Sequence, residues 1–371
     1  MVGTISERAR GIWQTWSVRG VAPRELPAQS VRAVYGLWLV ALGLKYLGAS
    51  WDISWHFRWL RDDLAPPHLI NAAGTVLVIV LVAAHTWTGY GVDKPALRLM
   101  QAGIVVFLLA IPTDLINHAV NGLDITAWSL SHSLLYLGTT LTLLGVLRGW
   151  WLYGRGPLRV PVLVVLWASL LEAVWFPAGQ QEYGVLAVAA WDRGEPDAEP
   201  ILLQFAADQL GRPVDRAAVL HFALPVPDWV YPVWLLAAAG IVLVLARMMV
   251  GLRWTATLLT AGYLAYRCVT WVALVGIGFP PSAVPFLLLG VAVAIDVAFR
   301  LPLPEALRPV LGAVLATVGA AGVAFVQSEW VALPPVSPTA FLVGGVLLGL
   351  LWSAAALVVR SRTLTTWARP H

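Results

Sequence analysis

The chain has 371 residues, 59% of them hydrophobic and 12% charged, with a mean hydropathy of +0.76 and 20 Trp. That composition excludes a soluble globular domain and describes a polytopic membrane protein. A formal charge of +4 spread over short loops excludes a nucleic-acid partner, and the single cysteine, Cys268, excludes an intrachain disulfide and a thiolate metal site.

Residues 1–30 carry Arg8, Arg10, Arg19 and Arg24 without an apolar core of leader length, so the first span is expected to insert directly. The piece Gly11 to Val21, with Trp13 and Trp16, reads as a segment lying along the cytoplasmic interface. Apolar stretches of near-spanning length then fall at about 31–52, 68–89, 98–117, 129–149, 158–178, 229–248, 254–276, 283–299, 305–327 and 340–360. This predicts an all-α, polytopic transmembrane bundle of about ten helices in the lipid bilayer. Placing both termini in the cytoplasm puts most Lys and Arg on the cytoplasmic side, as the charge bias of an inner (plasma) membrane protein requires. The chain divides into a cytoplasmic segment 1–30, a four-helix metal-binding half 31–149, a fifth helix 150–177, an acidic external loop 178–228 and a five-helix C-terminal bundle 229–371.

Within the first half one polar pattern occurs twice. Asp52-Ile-Ser-Trp-His56 is followed by Arg61-Asp62-Asp63 and Pro66-Pro67-His68; Asp114-Leu-Ile-Asn-His118 is followed by Asn121-Gly122-Leu123-Asp124 and Ser131-His132. Each copy sets a carboxylate and an imidazole four residues apart, on one face of a helix end, and adds an imidazole from the start of the next helix. With 12 Asp and 7 His in the chain, roughly 0.2 such Asp/His pairs are expected by chance. The two hairpins read as a parallel internal repeat whose ligand sets, Asp52, His56, His68 and Asp114, His118, His132, lie at the external ends of helices one to four, at similar depth, facing either each other or a common cavity.

The loop 178–228 is rich in acid, and Ile201 to Leu210 is expected to form a short amphipathic helix over the site, with His221 a solvated residue nearby. In the C-terminal half Arg267 lies in mid-helix and needs a partner, for which Glu172 is the candidate, while Asp296 and Arg300 read as an interfacial ion pair. His85 is remote from both sets. Trp51, Trp55, Trp59 and Trp128 surround the ligands, where they would limit water or carry electrons; the ordinary interfacial belt is the other reading.

One carboxylate and two neutral imidazoles suit copper, zinc, iron or manganese and leave coordination positions open; divalent copper binds such donors most tightly. The segment from Asp52 to His68 resembles the signature of the C-type subunit of the copper membrane monooxygenases, the particulate methane and ammonia monooxygenases. In that family an Asp-x-x-Trp-His element, an Arg-Asp element and a Pro-x-His build a copper site, which implies Asp52, His56 and His68 as ligands; this chain is one residue shorter between the two His. The family's second site uses an Asn, a His four residues on and a His fourteen beyond, a spacing matched by Asp114, His118 and His132 with Asp in place of Asn. The resemblance covers about residues 51–141. It implies a copper-dependent monooxygenase component that hydroxylates a small apolar molecule, with other monooxygenase-type subunits or a homo-oligomer as partners. A non-catalytic protein of metal acquisition, storage or sensing, and a transporter relaying protons through the same residues, are the readings that remain beside it.

Overall fold

The structure is a computed structural model that describes residues 17–60, 64–121 and 125–360. Residues 1–16 with Trp13 and Trp16, the run Arg61-Asp62-Asp63, the run Gly122-Leu123-Asp124 and residues 361–371 lie outside the described residues, as do the side chains of His118, Asn121 and Arg360.

Among the described residues the fold is helical throughout, and nine helical segments are long and apolar enough to cross a membrane, which makes this a multi-pass membrane protein. Four long helices form the first half: α1 (Ala28–His56), α2 (Pro66–Thr88), α3 (Lys94–Asn121) and α4 (Leu130–Tyr153). They pack as two hairpins, α1 with α2 and α3 with α4.

The hairpins repeat in their contacts as well as in their ligands. A Cβ on Gly74 of α2 would meet Ala41 O at 2.8 Å and Lys45 N at 2.9 Å; one on Gly138 of α4 would meet Gly103 O at 2.7 Å and Phe107 N at 2.6 Å. Gly74 and Gly138 each lie six residues after the second imidazole of their set, and Lys45 and Phe107 each lie seven before its Asp. Equivalent glycines therefore let equivalent backbones touch, the small-residue packing expected where lipid supplies no hydrophobic drive between helices. At Gly138 a Cβ would collide with backbone, which has no rotamer to escape into. Gly138→Val is expected to cost about 1–3 kcal/mol or more, read as a lowered thermal midpoint in detergent.

The remainder differs from the sequence reading in three places. The helix α5 (Arg159–Trp175) continues through a 3₁₀ turn, Phe176–Ala178, into α6 (Gly179–Asp192), and the short helices α7 (Pro200–Gln209) and α8 (Arg216–Ala223) follow. The stretch expected to be a loop is thus largely helical, because Pro177 takes a first-turn position and no further proline follows until Pro196. Asp215 caps α8, accepting from the backbone of Ala217 and Ala218. The Ala218 N–H, with Arg212 and the Ala217 N–H, holds its carboxyl below the usual carboxylate range.

A second difference lies in the C-terminal half. There α9 (Val230–Trp234) runs through a π turn, Leu235–Ala239, into α10 (Gly240–Val250), followed by α11 (Thr255–Gly276), α12 (Leu287–Arg300), α13 (Arg308–Trp330) and α14 (Pro338–Arg360). The span expected at 283–299 is only the 14-residue α12, since Pro280, Pro281 and Pro285 keep the preceding chain from being helical. That chain satisfies its backbone on protein: Ala283 N donates to Glu182 O, and Gln327 Nε2 to Val284 O.

The third difference concerns charge pairing. Arg267 pairs with Glu182, not Glu172, at 2.6 Å. Asp296 pairs with Arg247 at 3.1 Å and accepts from Thr257 N, while Arg300 lies over the Trp254 ring. Sequence proximity favours Arg300 for Asp296, whereas the partner in the fold arrives from another helix.

Candidate metal centre

The first ligand set is assembled by two helix ends. Asp52 and His56 occupy the last two turns of α1 on one face. Pro66 and Pro67 open α2 in the two positions where a missing N–H costs nothing, which puts His68 in its first turn. Gly48, one turn below Asp52, brings the helices together: a Cβ there would meet Asn71 N at 2.7 Å and Pro67 O at 2.8 Å.

Three donor atoms consequently converge. Nε2 of His56 and Nε2 of His68 are 3.3 Å apart, and Asp52 Oδ1 lies 3.4 Å from the former and 2.7 Å from the latter. Donors held about 2.0–2.1 Å from a tetrahedral ion stand roughly 3.3–3.4 Å from one another. Two of the three separations have that value, and the third, between Asp52 and His68, is shorter. Asp52 Oδ1 is buried, and its near polar neighbours are the two imidazole nitrogens. A buried carboxylate oxygen with two ring nitrogens beside it fits a cation. Among the described residues this is the one His/Cys/Asp/Glu group with metal-binding separations.

The second set is arranged similarly but is described only in part. Pro112 interrupts the hydrogen bonding of α3 two residues before Asp114, whose Oδ1 accepts from Ser131 Oγ at 2.9 Å. Ser129 caps α4 and accepts from His132 N, so His132 occupies the same first-turn position as His68. His132 Nδ1 donates to Thr126 O at 2.8 Å, which leaves the lone pair on Nε2, the tautomer a metal or proton would need. The position of the third expected ligand, His118, is on α3, its side chain outside the described residues.

Asp52, His56, His68, Asp114 and His132 all line one cavity of about 350 Å³. Its other walls are mainly apolar, with Phe107, Leu135, Phe176 and Phe222 among them. Its roof is the α6–α8 unit, which supplies Gln180, Leu202 and Phe222. Phe57, just past α1, packs on Tyr183 and Phe222 with ring centroids 5.3 and 5.0 Å apart, and Glu199 accepts from Leu60 N. The helix expected over the site is therefore α7, whose Leu202 reaches the cavity.

Residues outside both motifs also build the site. Gln180, buried on α6, accepts from Ala127 N at 2.7 Å and donates to Ile125 O and Phe222 O, both at 3.1 Å. It fixes the segment whose Thr126 carbonyl orients His132. The polar run Gln180-Gln181-Glu182 inside an apolar stretch was the available signal. Gln180→Leu is expected to cost about 1–3 kcal/mol by leaving its partners unpaired, seen as a fall in thermal midpoint without loss of the α1–α2 ligand set.

Two further histidines among the described residues are held otherwise. His85 lies at the far end of α2, between Trp38 Nε1 at 3.0 Å and Tyr90 O at 2.8 Å. His221 meets Gln209 Oε1 at 3.2 Å on the roof. Trp51, Trp55, Trp59 and Phe279 form one aromatic wall behind the ligand end of α1, and Trp128 packs edge-on against Trp234. No family model, curated protein sequence or solved structure matches this chain.

Proposed function

We propose that Asp52, His56 and His68 bind copper, and that the chain is an integral membrane copper protein, akin to the C-type subunit of the copper membrane monooxygenases, that takes part in dioxygen-dependent hydroxylation of a small apolar molecule. The observation that carries this reading is the convergence of a buried carboxylate oxygen and two imidazole nitrogens at the head of a mostly apolar cavity. Nitrogen and oxygen donors without thiolate favour divalent copper on intrinsic affinity, while zinc and iron accept the same donors. Bound there, copper would supply one-electron redox chemistry and an open coordination position.

The chain's own residues have separable tasks. Asp52 offsets cation charge, and the proline-led start of α2 keeps His68 pointed at it. Phe107, Leu135, Phe176 and Phe222 exclude water and orient an apolar body below the ligands. Across the cavity Asp114 and His132, with His118, are the proposed second metal position. In the overall reaction one oxygen atom enters a C–H bond and the other leaves as water, consuming two protons and two electrons from an external donor. Further monooxygenase-type subunits, or a second copy of this chain, are the partners through which electrons would enter. The site is proposed to face the external side of an inner membrane.

The test is oxygen uptake by copper-loaded protein in nanodiscs, with a chemical reductant and a short alkene. Uptake coupled to epoxide or alcohol, and absent in His56→Ala, is the expected result. Copper binding without coupled uptake would replace the enzyme by a protein of metal acquisition, storage or sensing. Proton-coupled transport that persists after chelation would replace it by a transporter.

A further inference from the structure

Three arginines sunk into the helical bundle come with carboxylates. Arg148 pairs with Asp93 at 2.6 Å, Arg247 with Asp296 at 3.1 Å and Arg267 with Glu182 at 2.6 Å. Lys45, only 8% exposed in the middle of α1, does not. Its Nζ donates to Asn71 Oδ1 at 3.2 Å and Thr75 Oγ1 at 3.0 Å, both neutral, and lies 4.1 Å from the centre of the Phe107 ring. Among the described residues no carboxylate is within ion-pairing distance of it. An ammonium has three N–H donors, so two neutral acceptors leave one for something else. A cation removed from water without a counter-charge is costly, and such residues inside membranes face cavities and mark ligand pathways.

Lys45 does line the cavity, together with Asn71, Phe107 and Thr139. The internal repeat sets its depth. Lys45 and Phe107 lie seven residues before Asp52 and Asp114; Thr75 and Thr139 lie seven after His68 and His132. Seven helical residues rise about 10 Å, so these four make a floor two turns below the ligand layer. At that floor the repeat is broken: one hairpin offers a cation where the other offers an aromatic ring, and the two touch.

We propose that the cavity binds a short-chain carboxylate, its head group on Lys45 at the floor and its apolar chain running past Phe107 and Leu135 toward Asp52, His56 and His68. One cation matches a monoanion, and the charge-assisted bond would supply the counter-charge that no described side chain provides. The apolar walls suit the chain, and the length between floor and ligands suits an occupant of about 10 Å. This refines the proposed small apolar substrate to one whose apolar chain carries an acid head group, and rests on that reading for what the occupant is for; the binding itself needs only the cavity.

Calorimetry in zwitterionic nanodiscs tests it, using hexanoate and hexan-1-ol with wild type, Lys45→Gln, Lys45→Arg and His68→Ala, each stripped with chelator and then copper-loaded. Hexanoate is expected to bind stripped wild type at least about tenfold more tightly than hexan-1-ol. Lys45→Gln should abolish that preference, and Lys45→Arg should retain it. Retention in His68→Ala would keep the carboxylate site even if the metal reading fails. Equal binding of acid and alcohol by wild type overturns the proposal whether or not Lys45→Gln folds. So does hexanoate binding that needs copper and ignores Lys45, since the acid would then be a metal ligand only.

Discussion

Arg267→Met is expected to lower stability by about 3–5 kcal/mol, more than any substitution on the lipid-facing surface. Its guanidinium meets the Glu182 carboxylate at 2.6 Å, and Glu182 is fully buried with further bonds from Trp175 Nε1 at 2.9 Å and Tyr231 OH at 3.1 Å. Removing the cation leaves an uncompensated charge within a network that joins α5, α6, α9 and α11. The Glu182 carbonyl also accepts from Ala283 N, so the disturbance reaches the non-helical chain before α12. Thermal unfolding in detergent of Arg267→Met, Glu182→Gln and the double variant checks this. The double variant should lie well above the sum of the singles, because two absent charges need no partner. Additive losses would mean that the pair carries no coupling.

His68→Ala should weaken copper binding by more than about 100-fold, exceeding the 10–100-fold typical of losing a group that only supports a ligand. The loss follows from geometry: His68 Nε2 is the donor nearest Asp52 Oδ1, at 2.7 Å, and its removal leaves a carboxylate and one imidazole on a single helix. Asp52→Asn should weaken binding too, by removing the charge while keeping an oxygen. Ser131→Ala, which deprives Asp114 of a hydrogen bond, should leave this first site unchanged. Competition with a calibrated copper chelator measures all three.

The spans and the meeting of Asp52, His56 and His68 were legible because their signals are local. Apolar runs of spanning length and an Asp/His pair four residues apart need no knowledge of tertiary structure. What escaped is non-local. The polar run Gln180-Gln181-Glu182 marks a local oddity in an apolar stretch but names no partner for Glu182; the 3₁₀ turn at Phe176–Ala178 carries it inward to Arg267. Lys45 resembled any cation within a span until α2 brought Asn71 and Thr75, and not an acid, against it. The equivalence of Gly74 with Gly138, six residues after His68 and His132, is written in the sequence, but its meaning appears only when each glycine is found against its partner helix. The short α12 was legible in its three prolines, and length alone misread it.

Copper-edge X-ray absorption on protein loaded with one equivalent tests the central claim most directly. Two imidazole nitrogens and one carboxylate-type oxygen at about 2.0 Å, with one imidazole lost in His56→Ala, is the expected result. A copper environment without imidazole scattering, or no metal retained after loading of folded protein, would contradict it and leave Asp52, His56 and His68 as a hydrogen-bonded group of another kind.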